Sequence, residues 1–230
     1  MALLFAAKGR NLALCARRLD LLQSLREELL AINPDIAVLI HALDVNDHPQ
    51  VFNVLEQCRR QLGSIDRVIV NAGISRGDAI GTGHFADNCN TAQTNFVSAL
   101  AQCEAALEIF RAQNSGHLVT ISSVSAVRGF RAAPSYTASK AALTNLSEAM
   151  RIDLLDTPIR VTCVHPGFIY SDMTARHKRA PFMVDTEKGC RAIVKAIERE
   201  GKNPYVPHWP WAVLRWVLRL APARILFYLK

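Results

Sequence analysis

Short apolar runs alternate along this chain with longer segments whose apolar residues recur every three to four positions. Asn11-Leu-Ala-Leu-Cys15 reads as a strand, and Leu19 to Ile32 as an amphipathic helix ended by Asn33-Pro34. Ala37 to Ile40 reads as a strand, and Val51 to Leu62 as a helix stopping near Gly63. Asp66 to Val70 is a further strand, and 74–88, with glycines at 77, 81 and 83, a loop. Thr91 to Gln113 reads as a long helix, Leu118 to Ile121 as a strand, and Ser135 to Leu155 as a helix. Ile159 to Val164 and Asp185 to Glu200 complete the series as strand and helix. Such alternation predicts a parallel sheet covered by helices on both faces. No internal repeat or low-complexity linker interrupts it.

At 230 residues the chain is long enough for one domain with a sizeable core. The net charge of +7 raises the question of nucleic acid or anionic lipid. The basic residues are dispersed, apart from Arg17-Arg18 and Arg176-His-Lys-Arg179, so nucleic-acid binding is not expected. The six cysteines, at 15, 58, 89, 103, 163 and 190, form no Cys-x-x-Cys or Cys/His cluster. Most lie in apolar segments and read as small core residues in a reducing, cytoplasmic compartment, and no metal site is expected. The N-terminus lacks the basic region of a signal peptide. No uncharged apolar run reaches ~18 residues, so no transmembrane helix is expected.

The sharpest chemical signal is Tyr136 and Lys140, four residues apart in Tyr-Thr-Ala-Ser-Lys, with Ser123 thirteen positions upstream. Positions i and i+4 of a helix share a face, so phenol and ammonium can point into one site. A nearby ammonium favours the phenolate, and a tyrosine tuned toward neutral pH can exchange a proton with an alcohol or carbonyl oxygen. A serine hydroxyl can hold that oxygen. Tyr-x-x-x-Lys alone also occurs on solvated helix faces; its pairing with Ser123, at the end of Gly116-His-Leu-Val-Thr-Ile-Ser-Ser123, argues for a site.

This arrangement resembles the short-chain dehydrogenase/reductase family. Asn71-Ala72-Gly73 after Val68-Ile-Val70, Asn95 in Thr91-Ala-Gln-Thr-Asn-Phe96, and Pro166-Gly167 after Val161-Thr-Cys-Val164 agree with the family in order and spacing. Ser171 stands where threonine is usual. The likeness covers most of the chain, up to about residue 205. It implies an α/β fold: a doubly wound, Rossmann-like parallel sheet in three α/β/α layers. One domain is expected over 1–207, with a helical extension over 208–230. The family opens with a strand and a Gly-rich turn that binds the cofactor pyrophosphate at a helix N-terminus. Here the first strand and that turn are missing; Met1 to Gly9 resembles the helix that follows them.

By resemblance, Tyr136 is the acid or base, Lys140 lowers its pKa and bonds the nicotinamide ribose, and Ser123 positions the substrate oxygen. Asn95 holds a water that links Lys140 to a proton relay. Ser122 is expected to be structural. The cofactor set is Arg17, Arg18, Asp44, Asn71, Ala72, Gly73, Tyr136, Lys140, Pro166, Gly167, Ile169 and Ser171. Arg17-Arg18 after the first strand, with no acid until Asp20, suits a 2′-phosphate, so NADP is expected over NAD. Asp44 resembles the residue that contacts the adenine amino group; a plain turn aspartate is the alternative.

The helices predicted over 91–113 and 135–155 are rich in alanine, and family helices of this kind pair across a two-fold axis, so a homodimer or homotetramer is expected. Residues 168–184 are expected to cover the substrate. The C-terminal stretch from Trp209 to Leu220 combines tryptophans with Arg215 and Arg219. It is expected either to pack over the cleft or a neighbouring subunit, or to lie in a membrane interface, with lipophilic substrates in the second case. The function implied is NADP-dependent interconversion of a carbonyl and an alcohol. The missing Gly-rich turn leaves two rivals: a catalytically silent binding or scaffold protein, and an incomplete record of an active enzyme.

Overall fold

A computed structural model describes residues 1–174 and 180–228, so Arg176–Arg179 and Lys230 lie outside the described residues. The elements follow in order as α1 (Ala2–Ala6), β1 (Leu12–Ala16), α2 (Leu19–Ile32), β2 (Val38–Ala42), α3 (His48–Leu62), β3 (Arg67–Val70) and α4 (Phe85–Ala92). A π-helical turn, Gln93–Val97, joins α4 to α5 (Ser98–Gln113). Then come β4 (His117–Ile121), a 3-10 turn (Val124–Val127), α6 (Pro134–Asp153), β5 (Arg160–Pro166), α7 (Thr186–Glu198), β6 (Tyr205–Val206), α8 (His208–Leu220) and α9 (Ala223–Tyr228).

All recorded strand pairs are parallel, as strand–helix alternation requires. They form two groups: β2 beside β1, and β3-β4-β5-β6 in that order. β4 lies inside the larger group, and its first four residues are buried. One face of that group is covered by α3, α5 and α6, where Val51, Phe110, Leu118 and Leu143 are sealed from solvent. The other face is covered by α7, whose Ile193 and Ile197 pack with Val119 and Val164. Three layers result, as expected.

No hydrogen-bonded ladder joins β1 to β3 among the described residues; α1 connects the two strand groups instead. Phe5 packs with Ile193, Ile197 and Val164, whereas neighbouring Ala6 packs with Leu29 and Val38 beneath the smaller group. Lys8 pairs with Glu198 at the end of α7, and Arg10 reaches the same carboxylate.

Several boundaries differ from those read in the sequence. α3 begins at His48, not Val51, because Asp47 caps it by accepting from the Gln50 amide at 3.2 Å, with a proline in the first turn. The expected loop 74–88 ends early, at Phe85, and the expected continuous helix 91–113 is broken by the π turn.

Of the three tryptophans in α8, one faces inward. Pro210 and Trp211 are buried, and Trp211 packs edge-on against Phe168 and Phe182. Arg215 lies over the Tyr205 ring, 4.8 Å from its centroid. Val213, Trp216, Val217 and Leu220 face outward and are exposed. Arg128, from the loop after the 3-10 turn, donates to the carbonyls of Arg219 (2.9 Å) and Ala221 (2.5 Å), satisfying acceptors that a helix C-terminus leaves open.

Candidate active site

The site forms at the carboxyl ends of the strands, where helices and loops leave the sheet. β4 ends at Ile121, and the next two residues divide their tasks. The Ser122 hydroxyl donates to the Lys140 carbonyl at 2.9 Å and pairs with the Thr144 hydroxyl at 2.8 Å, fastening α6 to the strand end. Ser123 caps the 3-10 turn, accepting from the Ser125 amide at 3.1 Å.

Pro134 in the first turn of α6 places Tyr136 near its start and Lys140 one turn on, beneath the same surface. Tyr136 is half-buried; Lys140 is 5% exposed. The Lys140 ammonium donates to the Ile121 carbonyl at 2.8 Å and lies 5.9 Å from the Tyr136 ring centroid. Burial lowers the lysine to about 8. Burial raises the Tyr136 phenol, opposed by its hydrogen bond with Ser123. In this state burial dominates Tyr136, rather than the lysine effect expected from the Tyr-x-x-x-Lys spacing.

Asn95 occupies the π turn and is fully buried. Its side chain accepts from the Ile74 amide and donates to the Ile74 carbonyl, both at 2.8 Å, and donates to Ser139 at 3.2 Å. This closes Asn95 over the loop that follows Asn71-Ala72-Gly73. π turns are frequent at functional sites, where the extra residue re-aims a side chain. A Cβ on Gly73 would stand 3.3 Å from the Lys140 nitrogen and 3.4 Å from the Asn95 oxygen, so a side chain there would press on both. Ser123, Tyr136, Lys140, Asn95 and Gly73 thus converge.

Arg17 and Arg18 follow β1, Arg18 as the N-cap of α2. Both are exposed and neither makes an ion pair among the described residues. Asp44 lies just past the paired strand β2, where its carboxylate accepts from the Asn46 amide at 3.0 Å, a turn-forming bond. Pro166 ends β5, and the Gly167 amide donates to Val206 at 2.8 Å. A side chain on Gly167 would collide with the Trp211 indole. Ile169 bridges to Val184, and the Ser171 hydroxyl lies 3.2 Å from that of Thr174.

Two neighbours of the site, His165 and Arg128, escaped sequence reasoning; a third, Trp211, lies in the stretch expected to pack over the cleft. His165 brings Nδ1 within 3.3 Å of the Ser123 carbonyl and stacks on Tyr205, centroids 4.5 Å apart. Trp211 closes over Gly167, and Arg128 ties the loop after Ser123 to α8. A histidine inside an apolar strand and an arginine in a loop carry no spacing that marks them.

The donor set fits a nicotinamide dinucleotide. The Lys140 ammonium has three hydrogens and one recorded acceptor, which suits the hydroxyls of a ribose, and bare Gly73 admits close approach.

The short chain dehydrogenase family model matches residues 1–181. An uncharacterized oxidoreductase of Mycobacterium tuberculosis (strain ATCC 25618 / H37Rv) is 47% identical over 226 residues, covering 98% of this chain and 89% of that protein. The 3-oxoacyl-[acyl-carrier-protein] reductase of Bos taurus is 31% identical over 178 residues, 76% of this chain and 71% of that protein. Among solved structures, levodione reductase superposes with a TM-score of 0.83 at 21% identity, covering 92% of each chain. A short-chain type dehydrogenase/reductase from Mycobacterium marinum gives 0.80 at 25% identity, covering 91% of this chain and 89% of its own. The fold and the catalytic-type cluster define an oxidoreductase of Rossmann architecture. The chain belongs to the short-chain dehydrogenase/reductase family.

Proposed function

We propose that the protein is an NADP-dependent oxidoreductase that interconverts a carbonyl and an alcohol. The observation that carries this reading is the convergence of Ser123, Tyr136, Lys140 and Asn95 around one strand end. When bound, the nicotinamide supplies or accepts the hydride. Tyr136 gives its phenolic proton to the substrate oxygen during reduction and takes it back during oxidation. Ser123 donates a hydrogen bond to that oxygen and fixes its position. Lys140 offers its remaining hydrogens to ribose hydroxyls, and its charge would oppose the burial that raises the Tyr136 phenol. Asn95 anchors the loop beside Lys140 and holds the relay water.

Arg17 and Arg18 would hold the 2′-phosphate, with Asp44 near the adenine. Asn71, Ala72 and Gly73 would line the ribose and nicotinamide path. Pro166, Gly167, Ile169 and Ser171 would border the nicotinamide amide. The protein is read as cytoplasmic; its reading as a homodimer or homotetramer is supported by exposed Leu100 on α5 and Ile152 on α6. Its substrate is read as lipophilic, supported by exposed Tyr170, Met173 and Phe182 in the segment expected to cover it.

The test is consumption of NADPH over a panel of carbonyl compounds by wild type and Tyr136→Phe. Turnover abolished in the variant, with cofactor binding kept, is the expected result. Near-native kcat in Tyr136→Phe refutes the assignment. Cofactor binding by wild type without turnover on any compound favours the silent binding protein.

A further inference from the structure

α8 is apolar on two faces: Trp211 and Leu214 pack inward, and a second apolar stripe faces outward. Amphipathic surface helices turn apolar residues inward and charges outward. Here Arg215 is half-buried over Tyr205 and Trp216, and Arg219 lines a cavity of about 290 Å³ with His165 and Tyr205. The outward stripe is Val213, Trp216, Val217 and Leu220, at successive spacings of three, one and three. Leu220 is 80% exposed, and Trp209, 74% exposed, adds a second tryptophan before the first helical turn. Ile225 on α9 is exposed as well.

We propose that this stripe docks on an anionic lipid bilayer. Two tryptophans and three aliphatic residues supply the apolar face that an interfacial helix buries at the headgroup boundary. The surrounding charge supplies the sign. Residues 201–230 contain no aspartate or glutamate, while Arg219 on α8, Arg224 on α9 and Arg131, stacked on Phe227 of α9, are exposed. Basic side chains beside an apolar face are drawn to anionic headgroups, and arginines can extend their stems along the acyl boundary. The same charge disfavours a second copy of this chain as occupant. A two-fold interface sets a patch against itself, which would bring these cations onto one another. The helix is too short to span a bilayer, and no helix among the described residues is long and apolar enough to do so.

Docking would also bring lipid close to the active site, which lies beneath the inner face of α8. The inner face of α8 packs on Val124, next to Ser123, and on Phe168. Phe182 and Met173, also exposed, lie in the segment following β5. The class of substrate is therefore a carbonyl or alcohol dissolved in the bilayer. That last step rests on the reductase reading above; the docking does not.

The experiment is co-sedimentation of the full chain with vesicles of phosphatidylcholine and of phosphatidylcholine with phosphatidylglycerol. Wild type is compared with the double variant Trp216→Ser, Leu220→Ser, whose positions are exposed, so the fold should survive. Expected is pelleting with anionic vesicles at least about tenfold stronger than with neutral ones, and loss of pelleting in the variant. Soluble wild type with both vesicles overturns the proposal. So does a drop in oligomer size by light scattering in the variant, which would make the stripe a protein interface. NADPH consumption with a water-soluble carbonyl, measured without vesicles, reports the reductase reading separately and should be equal in the two proteins.

Discussion

His165 Nδ1 lies 3.3 Å from the carbonyl oxygen of Ser123, reaching it from within β5. The imidazole is 1% exposed, stacked on Tyr205 at an interplanar angle of 10°, and Tyr205 in turn lies under Arg215. A continuous column thus runs from α8 to the residue proposed to hold the substrate oxygen. The bond needs a proton on Nδ1, so it also selects the tautomer.

His165→Phe keeps a ring in the stack and removes the nitrogen. A neutral hydrogen bond is worth roughly 0.5–1.5 kcal/mol, so kcat should fall about five-fold. Because the residue positions Ser123 and does not touch substrate, KM should change less than kcat. His165→Asn, which restores a donor, should recover part of the loss. Steady-state kinetics on the three proteins decides it. A fall in kcat matched by an equal fall in melting cooperativity, without rescue by asparagine, would assign His165 a purely structural role.

Arg17→Ser, Arg18→Ser should lose the preference for NADPH. Charge-assisted hydrogen bonds contribute roughly 1.5–3 kcal/mol, so wild type should bind NADPH about ten-fold or more tightly than NADH. In the variant the two affinities should converge, with NADH nearly unchanged. Fluorescence titration of both cofactors measures this. Equal affinities in wild type would refute the arginine reading.

The order of elements was legible because buried strands leave short apolar runs and covering helices leave periodic ones. The catalytic-type cluster was legible because a helix fixes i and i+4 on one face. The π turn at Asn95 was not, since one extra residue hardly disturbs the apolar pattern around it. The two-residue β6 is too short to show any period. α8 was legible as a helix but not in its orientation. It is apolar on most sides, so nothing in its pattern says that Trp211 goes inward and Trp216 outward. The start of α3 was recoverable in principle, since Asp47 and Pro49 form a cap signal upstream of the first periodic residue.

α1 reaches the larger strand group through Phe5, which is 6% exposed. Phe5→Ala removes its contacts with Ile193 and Ile197 and leaves a cavity between the groups. Core Phe→Ala changes cost about 3–5 kcal/mol. Leu3→Ala, at a position 40% exposed in the same helix, should stay within roughly 0.5–1 kcal/mol. Urea unfolding of both variants tests this. Equal losses would show that helix formation, and not the bridge, is what α1 contributes.

His117 should make the protein acid-sensitive. It is 3% exposed, at the start of β4. Its Nδ1 accepts from Arg67 Nε at 2.8 Å, and Nε2 lies 2.9 Å from the Thr162 hydroxyl. Burial, with the Arg67 charge adding to it, lowers its pKa from 6.5 to about 4; Glu200, 3.7 Å away and partly exposed, does not reverse this. Between those values the unfolded chain binds a proton that the folded chain refuses. Stability from this group therefore rises with pH through that window and is lost as pH falls from about 6.5 toward 4. The full difference is about 3 kcal/mol, from about 1.4 kcal/mol per pH unit. Urea midpoints at pH 7 and pH 5 should differ in wild type and differ less in His117→Gln, where no imidazole titrates. A direct check is the imidazole proton shift of His117 by NMR, which should stay constant down to about pH 5. Titration near 6.5, the ordinary value of an imidazole, would remove the basis of the prediction.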